Sequence, residues 1–488
     1  MNKAVAVVAG AIVLVAAGWT GTSWYTGKRV QQEIEQYVRA LNDRPGLGKV
    51  TIESYDRGVF ASSARYRFTA GPLPLPLDLI PPGDEIVFEG DIHHGPWPWQ
   101  RLRVGEFRPV LAASRTHLVN TGPVRVWYTA ARGDMPFEER SVIHYDGSID
   151  FTGRFSSLLL EAPGVLIKSE GGFVRGHAGP GGESLELTGT FGDVQLQSQL
   201  VEQSDEQPFD LLLKGTSLAI SSQEGRFGLY PGTAQISIEE VRIHTVDESG
   251  EPVEVRVEDY KVSGALREND TFIQGSVAYE VGQVMVSDVP LGSIALNMQI
   301  DRLDGKAVQA MLHRYREVLP AILEQEQKDA SSSQVPPALE AWVNESLQVL
   351  LPSEPTLSIE DFRWALNDAA SHFRMRITLQ PVSSTESASI LDGIKEAIAE
   401  LVLSREMVVE LMTRLERMPE NLQPASPEQA RAAAQVSFEL LQQLALSSGY
   451  ATLENGNLVA RLKYENGVTT VNGKDIPLEE LLGLIAED

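Results

Sequence analysis

No cysteine occurs in the 488 residues of this chain. Disulfides, thiol nucleophiles and cysteine-ligated metals are excluded. The compartment stays open, because a body of this size can bury enough surface without cross-links. Positive charge is scarce too: 41 Lys and Arg stand against 67 Asp and Glu, a formal net charge of −26, with no basic tail. Nucleic-acid binding rests on Lys and Arg neutralising phosphates, so that class is excluded. The same deficit argues against adhesion of the whole surface to anionic lipid. Catalytic signatures are missing: there is no HExxH, no GxSxG and no GxxxxGK[ST]. Thr20-Gly21-Thr22 and the glycine cluster at 179–182 lack the lysine of a phosphate loop.

Long apolar runs are also rare, and the one present is at the front. From Ala4 to Tyr25 there is no Asp, Glu, Lys or Arg. A helix needs about 20 apolar residues to cross a bilayer. The dense part, Ala4–Ala17, has the length of a signal-peptide core, and Val15-Ala16-Ala17 is an acceptable cleavage site. Retention and removal are therefore competing readings. Trp19, Trp24 and Tyr25 favour a retained anchor, because aromatics collect at membrane interfaces; Lys28 and Arg29 follow them. A short N-terminal segment with a basic tip at Lys3 is delivered N-in, which places the rest outside the cytoplasm.

Hydrophobics at 42% and charged residues at 22% describe a globular chain, and its length calls for two or three domains. The expected division is an anchor at 1–27, a stalk helix and linker at 28–48, an antiparallel β-rich region at 49–303 and a mixed helical and β region at 304–488. Val30, Ile34, Tyr37, Val38 and Leu41 recur at helical spacing, and Arg44–Gly48 breaks the helix. Lys49–Ala70 reads as strand, turn at Arg57-Gly58, strand. The five prolines in Gly71–Pro82 exclude regular structure. Glu85–Phe88 resumes a strand and leads into a loop at Gly90–Trp99. From Arg101 to Ile300 the pattern is short alternating strands, such as Val253, Val255, Val257 and Ile294, Leu296, Met298.

Helices are expected from Asp304, an N-cap, to a break or kink at Pro320, and from Pro337 to Pro352. Asn367-Asp368 turns a strand pair. Further helices are expected over Ile390–Leu403, Arg405–Met418 and Glu428–Leu446, the last opened by Ser426-Pro427-Glu428-Gln429. Asn-Gly pairs at 455, 466 and 472 mark hairpins in the tail, and Pro477–Ile485 reads as a terminal helix.

Several stretches resemble the YdgA-like family of bacterial envelope proteins, a domain family of unknown function. They are Trp24-Tyr25-Thr26-Gly27-Lys28, Tyr55-Asp56-Arg57-Gly58-Val59-Phe60-Ala61-Ser62, His94-Gly95-Pro96-Trp97-Pro98, Met135-Pro136-Phe137-Glu138 and the tail Leu458–Leu482. The resemblance covers nearly the whole chain. It implies a single-pass protein of a Gram-negative inner membrane with a periplasmic body. It implies no activity, so it assigns no site.

The candidate interaction loop is Asp91, His93, His94, Trp97 and Trp99. Its carboxylate and imidazoles suggest a metal or acid–base pair. Adjacent histidines in extended chain point to opposite faces, however, so the structural reading is a turn fixed by Gly95, Pro96 and Pro98. No cofactor or metal is expected. The other histidines, His117, His144, His177, His244, His313 and His372, are scattered.

The expected fold class is α+β: an N-terminal transmembrane helix, then an extended, twisted antiparallel sheet, with helices concentrated in the C-terminal third. A curved sheet with one dry face resembles AsmA-like envelope proteins at the level of fold. The expected function is a non-enzymatic, membrane-anchored protein that binds an apolar ligand or an envelope partner on its sheet. The alternatives are a self-associating scaffold, or an enzyme at His93 and His94.

Overall fold

The computed structural model describes residues 3–42, 48–71, 83–162, 164–198, 209–246, 250–328, 337–381, 393–417, 426–465 and 467–476, with the side chains of 3–18, 40, 320–321 and 323–328 left aside. The proline-rich stretch 72–82, the break at 43–47, the polar stretch after Lys328, Asn466 and the expected terminal helix from Pro477 lie outside the described residues. So do the side chains of the dense apolar run Ala4–Ala17.

The chain is mostly antiparallel sheet and divides into two units. The first holds residues 1–196 with 217–224, and the second holds 197–216 with 225–488.

In the first unit, helix α1 runs unbroken over Lys3–Asn42. The strands follow as β1 (Gly48–Arg57), β2 (Ala61–Ala70) and β3 (Glu85–His94). A short α2 (Trp99–Arg103) precedes β4 (Ala112–Leu118), and α3 (Arg125–Ala130) precedes β5 (Phe137–Ile143). Next come β6 (Ile149–Phe155), β7 (Leu158–Ala162), β8 (Val165–Ser169), β9 (Gly172–Ala178) and β10 (Ser184–Phe191). The pairing is antiparallel in the order β1–β2–β3–β4–β5–β6–β9–β10, and β7 and β8 form a hairpin beside it. One face is covered. Val30 of α1, with Ile34 packed beside it, sits on Ala64, Ile92, Leu111, Ala112 and Ile143, and α3 with its preceding turn covers Ile86 and Leu118. Burying a side chain such as Val30 or Ile92 completely contributes about 1.5–3 kcal/mol. Residues 28–42, the stalk segment of the sequence reading, lie along this sheet.

The residues of β11 (Val194–Ser198) and of β12 (Asp210–Gln223) are each divided between the two units. The second unit continues with β13 (Gly232–Val246), β14 (Pro252–Glu268), β15 (Phe272–Val286), β16 (Val289–Asp304), helices α4 (Gly305–Lys328) and α5 (Pro337–Leu350), β17 (Thr356–Leu366), β18 (Ala369–Leu379) and β19 (Ile394–Leu403). Helices α6 (Arg405–Leu415) and α7 (Pro427–Ser447) precede β20 (Thr452–Glu454), β21 (Asn457–Glu465), β22 (Val468–Val471) and β23 (Lys474–Asp475). Strands β13 to β19 pair in sequence order and β21 follows β19, all antiparallel.

The helix pairs sit at opposite ends of these strands. Val308, Met311 and Leu312 of α4 pack on Phe227, Leu266, Ile273 and Leu303 at one end. At the other, Arg414 of α6 donates to the Pro290 carbonyl and to Asn367.

Four expectations are corrected. Ile394–Leu403 is a strand, although its Lys, Glu and Ala favour helix. Two flanking ladders, to β18 and β21, outweigh that propensity. Of the break or kink expected at Pro320, the break does not occur: α4 continues to Lys328, and the carbonyl deprived of its donor belongs to the exposed Arg316. Gly90–His94 is not loop but the end of β3, paired on both sides. The strands up to Ile300 are not all short, since β12 to β16 run 14–17 residues, and α2 and α3 interrupt the series.

Candidate functional site

Ser23, Thr26, Gly27, Val30, Ile34 and Tyr37 fall at i, i+3, i+4, i+7, i+11 and i+14, one stripe of a helix. Small residues at its upper end let the backbone approach the sheet. Ser23 Oγ donates to the Gly95 carbonyl at 2.8 Å, and Thr26 Oγ1 is 3.2 Å from the same oxygen and 3.0 Å from the Ser23 carbonyl. Both hydroxyls are buried. Gly27 lies against the imidazole of His94, so close that a Cβ there would sit 2.4 Å from Cε1. Further along α1, Arg29 donates to the Tyr145 carbonyl at 2.9 Å and Tyr37 to the Gly179 carbonyl.

His94 is the centre of this joint. Its Nδ1 is 3.0 Å from the Val59 carbonyl and its Nε2 is 2.7 Å from Ser62 Oγ. A carbonyl only accepts, so Nδ1 carries the proton and Nε2 accepts from Ser62. Burial holds the imidazole below its ordinary pKa, and the neutral ring suits both partners. The backbone N–H of His94 donates to the Phe60 carbonyl, and that of Gly95 to the Leu111 carbonyl. Gly95 is required: a Cβ would lie 1.8 Å from the Val110 oxygen. The joint therefore draws together three separate stretches, Trp24–Lys28, Tyr55–Ser62 and His94–Pro98.

The candidate loop residues do not converge on one another. Asp91 and His93 face outward from β3, while Ile92 and His94 face the covered side. Burial lowers the His93 pKa and the nearby Asp91 opposes that. Trp97 Nε1 donates to the Phe107 carbonyl at 2.9 Å, and Trp99 stacks with Arg103 at 5.6 Å. Both indoles are exposed. Of the residues expected at a membrane interface, Trp24, Tyr25 and Lys28 are exposed, Trp19 and Arg29 partly so. The Arg57 guanidinium lies 6.0 Å from the Trp24 ring. Among the described residues no group of three or more His, Asp or Glu is placed to hold a metal ion. Among them, too, no helix is long and apolar enough to cross a membrane. Sequence reasoning missed Ser23, Thr26, Gly27, Val59 and Ser62; the small-residue stripe in α1 was the available signal.

A second feature belongs to the second unit alone. The register aligns one apolar face across eight strands. Along its middle, one row runs Ile236, Val262, Tyr279, Leu296, Phe362, Phe373, Leu401 and Ala460, the row beside it runs Val277, Met298, Ile359, Met375, Ala399 and Leu462, and none of these is fully buried. The opposite face carries ion pairs: Lys261–Glu280 at 3.6 Å, Arg376–Glu360 at 3.5 Å and Arg461–Glu400 at 2.8 Å.

The geometry defines a class: an antiparallel-sheet protein whose N-terminal helix is locked onto its first sheet. The chain belongs to the family described as "Bacterial protein of unknown function (DUF945)", whose profile matches residues 1–479. It is similar to Protein YdgA of Escherichia coli (strain K12), 25% identical over 100% of this chain and 97% of that protein. It is likewise similar to the uncharacterized protein YihF of the same organism, 26% identical over 97% of each chain. No solved structure matches it significantly.

Proposed function

We propose that this is a non-enzymatic protein of the bacterial inner membrane, anchored N-in by Ala4–Tyr25, whose periplasmic body binds the acyl chains of a lipid on the apolar face of the second unit. The observation that carries the reading is that face. Eight strands at the usual spacing make a strip roughly 34 Å across. The helices of the unit gather at the strand ends, so the middle of the strip keeps solvent exposure. A contiguous exposed apolar area marks a binding surface. The anchor is supported by the apolar sequence of α1 and by its unbroken course into the joint with the sheet.

The test uses the full chain in cells. A photo-crosslinking amino acid is placed at Met298, on the apolar face, or at the neighbouring Gln299, on the other. The proposal expects a phospholipid mass adduct at position 298 and none at 299. Equal or absent adducts at both would refute lipid binding. A crosslink from 298 to a second copy would favour the scaffold reading instead.

A further inference from the structure

We infer that the exposed rim around the joint, made of Trp24, Phe60, Trp97, Trp99, Val104 and Phe107, seats on an anionic lipid headgroup layer. The inference rests on the anchored reading above. It adds a second contact between the first unit and the bilayer, made by loops rather than by the helix.

The rim residues are large and exposed: Val104 is 73% exposed, Phe107 69%, Trp99 57%, Phe60 53% and Trp24 51%. They come from three segments that meet at the joint. Trp24 is on α1, Phe60 is in the β1–β2 turn, and the others lie in the connection from β3 to β4. The joint fixes their level. Among the described side chains of α1, Ser23 is the first buried one, while Thr20, Gly21 and Thr22 before it are exposed. Gly95, which accepts from Ser23, is two residues from Trp97. Phe60 accepts from the backbone of His94. The rim thus surrounds the point where the helix leaves the sheet towards its apolar segment. At 1.5 Å per residue, the stretch Ala4–Thr22 that precedes the joint measures about 29 Å, close to the thickness of a hydrocarbon core. A bilayer spanned by that segment ends where the rim begins.

The chemistry fits this occupant. Indole rings partition to the interface, where the ring is dry and the N–H wet. The β3–β4 connection carries Arg101, Arg103 and Arg108 against a single Glu106, a local excess of positive charge in a chain of net charge −26. Glu106 is paired with Arg101 at 2.8 Å, so it does not neutralise Arg108 or Arg103, whose guanidinium lies over the Trp99 ring with its edge available to phosphate. The whole-chain deficit of basic residues does not apply at this edge. The loop is also held at its base: Val110 N–H donates to the Pro96 carbonyl at 3.0 Å, and Gly95 packs against the Val110 oxygen.

The native absence of cysteine allows single-cysteine probes. The full chain is reconstituted in phosphatidylethanolamine–phosphatidylglycerol vesicles with an environment-sensitive dye at Val104→Cys, Phe107→Cys, Thr20→Cys or Asp134→Cys. Asp134 lies in the β4–β5 connection, at the opposite end of the strands. The expected result is blue-shifted emission at 104 and 107, quenched at least threefold more by headgroup-proximal doxyl lipid than emission at 134. Adding Arg103→Glu and Arg108→Glu should remove most of that quenching. Emission at 104 and 107 equal to that at 134, with 20 still quenched, overturns the rim and leaves the anchor standing. A blue shift without lipid quenching points to a protein partner and overturns the rim as well. No quenching at 20 overturns the anchor, and the rim falls with it.

Discussion

Replacing Gly27 by Ala sets two effects of opposite sign against each other. Gly27 lies inside a helix, where Ala is favoured over Gly by about 1 kcal/mol. Propensity alone therefore makes the variant more stable. The joint says the reverse, because the new Cβ would sit 2.4 Å from His94 Cε1 and 2.5 Å from Nδ1. Either α1 lifts or the imidazole turns. A turned ring breaks its hydrogen bonds to Ser62 and to the Val59 carbonyl, and both partners are buried or half-buried. Each buried polar group left unpaired costs about 1–3 kcal/mol. The two lost partners together cost about 2–6 kcal/mol, and offset by the propensity gain the net loss is about 1–5 kcal/mol. At about 3 °C per kcal/mol for a domain of this size, that lowers Tm by about 3–15 °C. The assay is thermal unfolding of the full chain in detergent, followed by near-ultraviolet circular dichroism. A second variant, His94→Ala, removes the obstacle. The double variant should cost at least 1 kcal/mol less than the two single changes added together. A Gly27→Ala protein as stable as the parent, or strict additivity of the two changes, would refute the joint as described.

Glu139 sits on the covered face of β5, where burial raises its pKa to about 7 against weaker opposing hydrogen bonds from Thr116 and Ser141. The folded state then holds this proton more tightly than the unfolded chain, so the stability contribution is full below about pH 4 and falls as pH rises to 7. Glu139→Gln should flatten that slope and gain on the order of 2 kcal/mol at pH 8; urea titrations showing an unchanged difference between pH 5 and pH 8 would contradict it. Ser426 and Gln429 form a reciprocal cap at the start of α7. Ser426→Ala should cost about 1 kcal/mol in the same titration, with no change in m. Phe362→Asp puts a charge in the middle of the apolar strip; the lipid adduct at position 298 should drop at least tenfold, and an undiminished adduct would place the ligand elsewhere.

What the sequence made legible was what neighbouring residues decide. Asn455-Gly456 and Asn472-Gly473 form tight turns with positive φ at each residue, as the dipeptide predicts. The Ser426 cap and the Asp304 N-cap, whose carboxylate accepts from Ala307 N–H at 2.9 Å, are equally local. The parity of β14 and β16 identified one face of the apolar strip. Long-range effects were not legible. Strand β19 is rich in helix formers, and only its two neighbours make it a strand. The joint was hidden because its partners are far apart in the chain: Ser23 and Gly95 are separated by 72 positions, Ser62 and His94 by 32. The stripe of small residues in α1 hinted at a close approach, but nothing local named the surface approached. His94 offered itself as a ligand, and its environment made it a keystone instead.

The direct seating of Ser23 on Gly95 also sets the reach of the first unit. A flexible tether of 20 residues lets a domain sample distances of about 25 Å around its anchor. Here the rigid helix enters the sheet with no intervening slack, so that search volume collapses. With α1 as the proposed anchor, a target of the first unit has to arrive by lateral diffusion and meet it in one fixed orientation. Lengthening the connection by a short glycine-serine insert before Ser23 would exchange that geometric selectivity for range, a trade the native chain declines.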